Sequence, residues 1–292
     1  MQRAQHAVEL SGVEQLCDGI ALPVWFPEFH SGEDAKLRKP IATALYALQV
    51  SAQIQFGWTQ RPVWRDQTLQ TLVNVVHEVN KDGVHFKLWI SYKASDTILS
   101  AGHIAGDLAY LRRLYGHDSA FDHTYSKRLP LVWMGSRKYP TTVLKRISQK
   151  FRPAFYLIGD ENGDTWTSAR GALLDGDQYY WSSQDPYRNP DSFRQLRHLA
   201  AKVRNAKQNP DGSKKGWFAP VAPGFNTELL GGTTCVPRRD GTTMRKLFSG
   251  NKASHPNGWV LISWNEIAEG TYVQPLQRYG SRYLKVISDL VH

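Results

Sequence analysis

The sequence predicts an α/β protein built as a single (β/α)8 barrel, and three observations carry that reading. Eight apolar runs recur along the 292 residues, each short enough to be a strand covered on both faces. Amphipathic segments of helical period separate them, and strand alternating with helix is the pattern of a parallel sheet wound into a barrel. No glycine-rich phosphate loop follows the first run, which disfavours the alternative of a doubly wound open sheet.

The predicted strands, in order, are Ile20 to Phe26, Ala52 to Trp58, Phe86 to Tyr92, Leu129 to Met134, Ala154 to Gly159, Gln178 to Ser182, Trp217 to Val221 and Trp259 to Trp264. Each is bulky and rich in β-branched or aromatic residues. Between and after them helices are expected at Ala35 to Gln49, Gln67 to Asp82, Ile104 to Gly116, Thr141 to Gln149, Thr165 to Leu173, Asp191 to Asn209, Gly241 to Gly250 and Leu276 to Val291. Leu69, Leu72, Val73, Val76 and Val79 form the clearest apolar stripe, closed by Lys81, Asp82 and Gly83 as a polar stop. Turn-rich stretches fall at Asn209 to Gly216 and Gly224 to Asp240. No repeat, low-complexity tract or linker divides the chain, so one domain over 1–292 is expected, with 1–18 as an N-terminal extension.

Composition narrows the partners. The formal net charge of +10 would attract anionic polymers. No helix-turn-helix, zinc-finger or other nucleic-acid motif accompanies it, and the basic residues are spread over predicted helices and loops. Two cysteines, Cys17 and Cys235, allow at most one disulfide and exclude a cysteine-rich metal cluster. Metal binding is disfavoured, with no HExxH, no paired His/Asp at ligand spacing and no EF-hand pattern, and a Ser-His-Asp hydrolase is disfavoured because there is no GxSxG elbow. No run approaches the roughly 18 apolar residues of a membrane span. Met1 to Asp18 carries charges and Pro23 interrupts the next apolar run, so no signal peptide is read; as written the chain is expected to be soluble, either cytoplasmic or exported, with a leader removed or by another route.

The chemistry concentrates at Gly258 to Gly270, GWVLISWNEIAEG. Here the last strand runs into Glu266 and Glu269, and barrel enzymes gather their catalytic groups at strand C-terminal ends. Carboxyls spaced i, i+3 on a turn come within about 5 to 6 Å, close to the separation used by retaining glycosidases. Such proximity pushes their pKa values apart and leaves one group as acid while the other is nucleophile or base. The bland alternative is a pair that caps the last helix or meets surface arginines. Aromatics suited to stacking on sugar lie at or near the other predicted strand ends: Trp25 and Phe26, Trp58, Tyr92, Trp133, Tyr180 and Trp181, and Trp264. His30, Asp96, Asp160, Glu161, Asp185, Asn226 and Asn265 follow strand ends as hydrogen-bonding groups.

These residues also carry a resemblance. Ile262 to Leu284, ISWNEIAEGTYVQPLQRYGSRYL, resembles the terminal signature of the glycoside hydrolase family 99 group, the endo-α-mannosidases, of the form S-[FW]-N-E-W-x-E-G-T-x-I-E-P followed by Y-G and Y-L. Ala222 to Asn226 with Arg239, Asp240 and Gly241 resembles the family's PGF(N/D) segment and its R-x-G, and Leu108 to Val132 resembles its approach to the fourth strand. The α-1,3-glucanase family 71 group has a comparable barrel and acidic pair. The resemblance implies a retaining, endo-acting hydrolase of an α-linked polysaccharide, α-mannan first. It implies Glu266 as base toward the substrate's 2-hydroxyl, giving a 1,2-anhydro sugar, and Glu269 as acid and then base. Asn226 and Arg239 join Trp25, Trp58, Tyr92, Trp133, Tyr180, Trp181, Trp264 and Asn265 as substrate-binding candidates, with no metal or cofactor. The sequence departs from the signature at Ile267-Ala268, where the family has Trp-His, and at Val273-Gln274-Pro275 for its IEP. That departure supports an alternative, a glycan-binding or surface-polysaccharide assembly protein on the same barrel; the charge alone supports a third, a basic binder of anionic polymers.

Overall fold

The computed structural model describes residues 53–58, 63–81, 86–93 and 98–291. The predicted strand Ile20 to Phe26, the helix Ala35 to Gln49, the extension 1–18 and the candidates Trp25, Phe26, His30 and Asp96 lie outside them. Within the described residues the chain alternates strand and helix: β1 Gln53–Trp58, α1 Val63–Lys81, β2 Lys87–Lys93, α2 Ala101–Tyr115, β3 Leu129–Met134, α3 Thr141–Phe151, β4 Phe155–Gly159, α4 Ser168–Gly171, β5 Gly176–Gln178, α5 Asp191–Arg204, β6 Gly216–Val221, β7 Phe225–Asn226, β8 Cys235–Val236, α6 Thr242–Lys252, β9 Gly258–Leu261 and α7 Arg282–Val291. Seven strands form one parallel sheet in the order β1-β2-β3-β4-β5-β6-β9. A parallel sheet ordered as its sequence and covered by helices is a barrel wall. The described part is a curled half-barrel whose outer strands, β1 and β9, are not paired to each other.

Side chains alternate between two cores. Leu88, Ile90, Leu131, Phe155, Leu157, Trp217 and Ala219 face outward with helix residues such as Leu69, Ile104, Leu144 and Leu196. Trp89, Val132, Tyr156, Ile158, Phe218, Val260 and Ile262 face the concave side and meet one another. Both faces are apolar because both are covered, which is why these strands read as continuous runs rather than alternating ones. The concave side is plugged by rings: Trp89 lies 5.0 Å from Phe218, and Tyr125 and Tyr156 stack at 6.2 Å.

The strands' N-terminal ends are tied by buried charge. Asp175 accepts from Arg128 Nη1 at 3.0 Å, Arg152 Nε at 2.9 Å and the Leu157 amide at 2.8 Å. Lys215, 2 % exposed, donates to Asn209 Oδ1 at 2.8 Å and the Leu174 carbonyl at 2.5 Å. Burial, seconded by Arg152, lowers the Lys215 pKa to about 8. These four charges immediately precede or closely approach the starts of β3 to β6. In a barrel that end serves stability, and chemistry belongs to the other.

Several predicted elements shift: the helix expected over Thr165 to Leu173 shrinks to Ser168–Gly171, the helix from Asp191 ends at Arg204 and the last strand ends at Leu261. The fifth described strand is Gly176–Gln178 rather than Gln178 to Ser182, because pairing follows the register Gly159↔Asp177 and not the aromatic run that comes after it. The helix expected over Leu276 to Val291 begins at Arg282, after a turn in which Gly280 sits at φ 50°. A small antiparallel hairpin, β7 with β8, rises from the loop after β6 and was not expected. Cys235 on it is disulfide-bonded; Cys17, the other cysteine of the sequence, lies outside the described residues. Among the described residues no helix is long and apolar enough to cross a membrane.

Candidate active site

Chain leaving β9 turns at once. The Ile262–Ser263 peptide is cis, and Ser263, nearly buried, accepts the Glu266 amide at 2.9 Å on its hydroxyl. The Glu266 carbonyl accepts the Thr271 amide at 3.3 Å, and the Ser263 amide donates to the Thr271 carbonyl at 3.0 Å. The segment from Ser263 to Thr271 is therefore a closed loop with both glutamates on it. At its end Gly270 takes φ +60°, a conformation that favours glycine, and a Cβ there would press to 3.2 Å on Asn226 Cβ.

The hairpin packs on this loop. The Asn226 amide donates to the Glu269 carbonyl at 2.8 Å, while the Asn226 side chain accepts the Glu228 amide at 2.9 Å. Arg238, 7 % exposed, reaches under the same loop and donates through Nη2 to the carbonyls of Gly270 at 2.9 Å and Tyr272 at 2.7 Å. Tyr272, Tyr279 and Tyr283 surround its guanidinium at 4.6, 4.4 and 4.6 Å. Arg238 thus joins three segments: the loop after β6, the glutamate loop and α7. The neighbouring Arg239, selected from the sequence, turns away to the surface with φ 48° and lies over the Tyr187 ring at 4.6 Å. The arginine that touches the glutamate loop is one residue earlier than expected.

Tyr180 completes the constellation. It follows β5, packs against the concave core and is half-buried. Burial raises its pKa, and so do the charges of Glu266, Glu269 and Asp160, in that order. The phenol therefore stays neutral and feels both glutamates. Its amide is held by Asp160 Oδ1 at 3.0 Å. Asp160 is 2 % exposed, accepts the Gly135 amide at 2.8 Å and pairs with Arg137 at 2.5 Å. Burial nevertheless raises its pKa, against the opposing pull of Arg137.

The other acids at these strand ends are structural. Glu161 is fully buried in a two-pronged pair with Arg170, at 2.6 and 3.0 Å, and accepts the Ser136 hydroxyl at 2.7 Å. Asp177, also fully buried, accepts the Glu161 amide at 3.0 Å through Oδ1, while its Oδ2 meets no donor among the described residues. Burial, with Glu161 and Asp160 nearby, raises its pKa well above the ordinary carboxylate value. Asp185 accepts the amides of Tyr187 and Arg188, closing a turn.

The aromatic rim divides. Trp58, Tyr92 and Trp133 stand in one row across the sheet, in register from strand to strand, and each is at most 1 % exposed in the layer under the helices. Trp58 donates to Asp66 at 3.1 Å and Tyr92 to Asp107 at 2.6 Å. These three rings are core: they point away from the concave side, and no ring face is left for a sugar. Trp181 leans on Tyr179 at 5.4 Å and packs against that outer core. Trp264 packs beside α7; Asn265 is exposed. Of the predicted set, Glu266, Glu269, Tyr180 and Asn226 come together. Arg238, Arg137 and Ser263 were missed, and only Arg238 had a signal, its place beside a selected arginine.

A groove of about 550 Å3 lies elsewhere, between α6, α7 and the start of β9, lined by Phe248, Lys252, His255, Pro256, Trp259, Leu290 and Val291. None of the carboxylates above borders it.

No family model matches the chain, and no curated protein does. Solved structures do: the GH99 endo-alpha-mannosidase from Bacteroides thetaiotaomicron aligns over 90 % of this chain and 80 % of its own, with a TM-score of 0.69 and 14 % identity. The same enzyme in complex with BIS-TRIS-propane aligns over 90 % and 84 %, with a TM-score of 0.68 and 14 % identity. At that identity the likeness concerns architecture: in fold, this chain is similar to the GH99 endo-alpha-mannosidases.

Proposed function

We propose that the protein is a retaining glycoside hydrolase acting within an α-linked polysaccharide or glycan, α-mannan first, with Glu266 and Glu269 as its catalytic pair. The observation that carries this reading is that Glu266 and Glu269 share one loop, pinned by Asn226 and Arg238, and face the half-buried Tyr180, whose pKa is raised first by burial and then by the charges of both glutamates. In the mechanism that the sequence resemblance implies, Glu266 takes the proton of the sugar's 2-hydroxyl while that oxygen attacks C1. Glu269 protonates the departing oxygen. Water then opens the anhydro ring, giving its proton to Glu269 as Glu266 returns one to O2. The neutral phenol of Tyr180 is suited to hydrogen-bond a sugar oxygen between the two.

Hydrolysis of an α-mannan by the wild type, Glu266→Gln and Glu269→Gln is the test, with product anomers followed by NMR. Each variant is expected to lose a factor of about 10² or more, as when an acid/base group is removed, and the anomer is expected to be retained. Unchanged turnover in both variants would end the reading. A second reading, glycan binding without cleavage, is favoured by Ile267 and Ala268 between the glutamates. It predicts calorimetric binding of oligosaccharide with no product.

A further inference from the structure

Arg238 and Arg239 are adjacent, yet one is buried beneath the glutamate loop and the other is exposed. The backbone achieves this with three successive left-handed residues, Arg239 at φ 48°, Asp240 at φ 53° and Gly241 at φ 90°. Side chains other than glycine rarely adopt that conformation, and positions that hold them there cluster at functional sites. The turn is secured by the Arg282–Asp240 ion pair and by the Thr242 hydroxyl on the Arg239 carbonyl at 2.7 Å.

The turn's product is a cationic pair on an aromatic ring. The Arg239 guanidinium lies 4.6 Å and the Lys246 ammonium 4.0 Å from the centroid of Tyr187, whose hydroxyl donates to Thr242 Oγ1 at 3.4 Å. Tyr187 is 41 % exposed, and both cations are exposed. Among the described residues neither cation has a carboxylate partner: Asp240 is taken by Arg282, and Asp185 binds the Tyr187 and Arg188 amides. Two like charges are thus gathered at one exposed ring, a local excess of positive charge that attracts an anion.

Its position ties it to the glutamates. Tyr187 lies on the loop that begins with Tyr180, and Arg239 on the loop that carries Asn226 and Arg238. We infer that the substrate of the Glu266/Glu269 site is an anionic glycan, bearing carboxylate or other acidic substituents, one of which is received by Arg239 and Lys246. This rests on the glycan reading above and names the substrate class within it. A nucleic acid is held by a row of phosphate contacts; two cations converging on one ring fit a single substituent.

The test compares an α-mannan with the same polymer oxidised to uronate at its free primary hydroxyls, using calorimetry on the full chain. Wild type is expected to bind the oxidised polymer at least tenfold more tightly, with an affinity that falls as salt rises. Lys246→Gln, on an exposed helix face, should lose most of that preference, and Arg239→Ala/Lys246→Gln all of it. Equal binding of the two polymers, or a preference that survives in both variants, overturns the inference. So does equally tight, patch-dependent binding of a single-stranded oligonucleotide. The hydrolase reading fails separately: preference for the oxidised polymer with no cleavage of either removes catalysis and leaves the anion site, whereas glutamate-dependent cleavage of the neutral mannan without any preference does the reverse.

Discussion

The Asn226 amide hydrogen-bonds the Glu269 carbonyl at 2.8 Å, so the hairpin after β6 and the loop after β9 are one backbone unit. Whatever shifts the hairpin shifts the second glutamate. The two segments are 43 positions apart in the numbering of these residues, and only the parallel pairing of β6 with β9 makes them neighbours.

Arg238 is the fastener of that unit. Arg238→Met leaves the Gly270 and Tyr272 carbonyls without their donor and should lower stability by about 3 kcal/mol, the scale of buried hydrogen bonds to a charged group. Urea denaturation followed by tryptophan fluorescence measures it. Arg238→Lys restores the charge but not the planar fork, and should recover less than half.

Tyr180→Phe keeps the ring in the concave core and removes only the hydroxyl. Its expected effect is a fall in turnover of about tenfold or more with an unfolding midpoint close to wild type, since the ring and its packing in the concave core are kept. A variant as active as wild type would remove Tyr180 from the site.

Asp177 binds its proton more tightly folded than unfolded, because burial raises its pKa above the ordinary 3.8. Its contribution is therefore fully present below that value and is lost as pH rises above it through the raised folded pKa. Asp177→Asn, which can still accept the Glu161 amide, should flatten this part of the stability curve. At pH 7 it should be at least as stable as wild type in denaturant titrations.

Lys215 has the opposite sign. Its folded pKa of about 8 lies below the ordinary 10.5, so the unfolded chain binds the extra proton and stability rises with pH above about 8. The gain between pH 8 and 9 is about 1 kcal/mol. In Lys215→Met that rise should vanish, with a loss of only about 1 kcal/mol at neutral pH, since Arg152 Nη2 still donates to the Leu174 carbonyl at 3.0 Å and to Asn209 Oδ1 at 2.8 Å.

Much of this was legible in the sequence. Leu129–Met134 is a strand with the predicted bounds, because six consecutive covered positions leave no polar residue to blur them. Gly176–Gln178 was not, since a glycine, an aspartate and a glutamine carry no strand signal, and the aromatic run that follows attracted the prediction. Glu266 and Glu269 stood out because a strand surfaces into them. Trp58, Tyr92 and Trp133 were misjudged for a physical reason: a strand apolar on both faces has no alternation to reveal which ring points at helices and which at the concave side. Arg238 and Arg239 could not be told apart either, since only the left-handed turn decides which one goes inward.

The buried charges at the strands' N-terminal ends have a consequence for change over time. Asp175, Arg128, Arg152 and Lys215 anchor β3 to β6 at the end opposite Tyr180 and the glutamates, so the loops above can be exchanged without disturbing what holds the wall together. A loop transplant from a protein of similar fold onto the ends of β5, β6 and β9 should leave the scaffold standing, making the wall a chassis on which different loops can be carried.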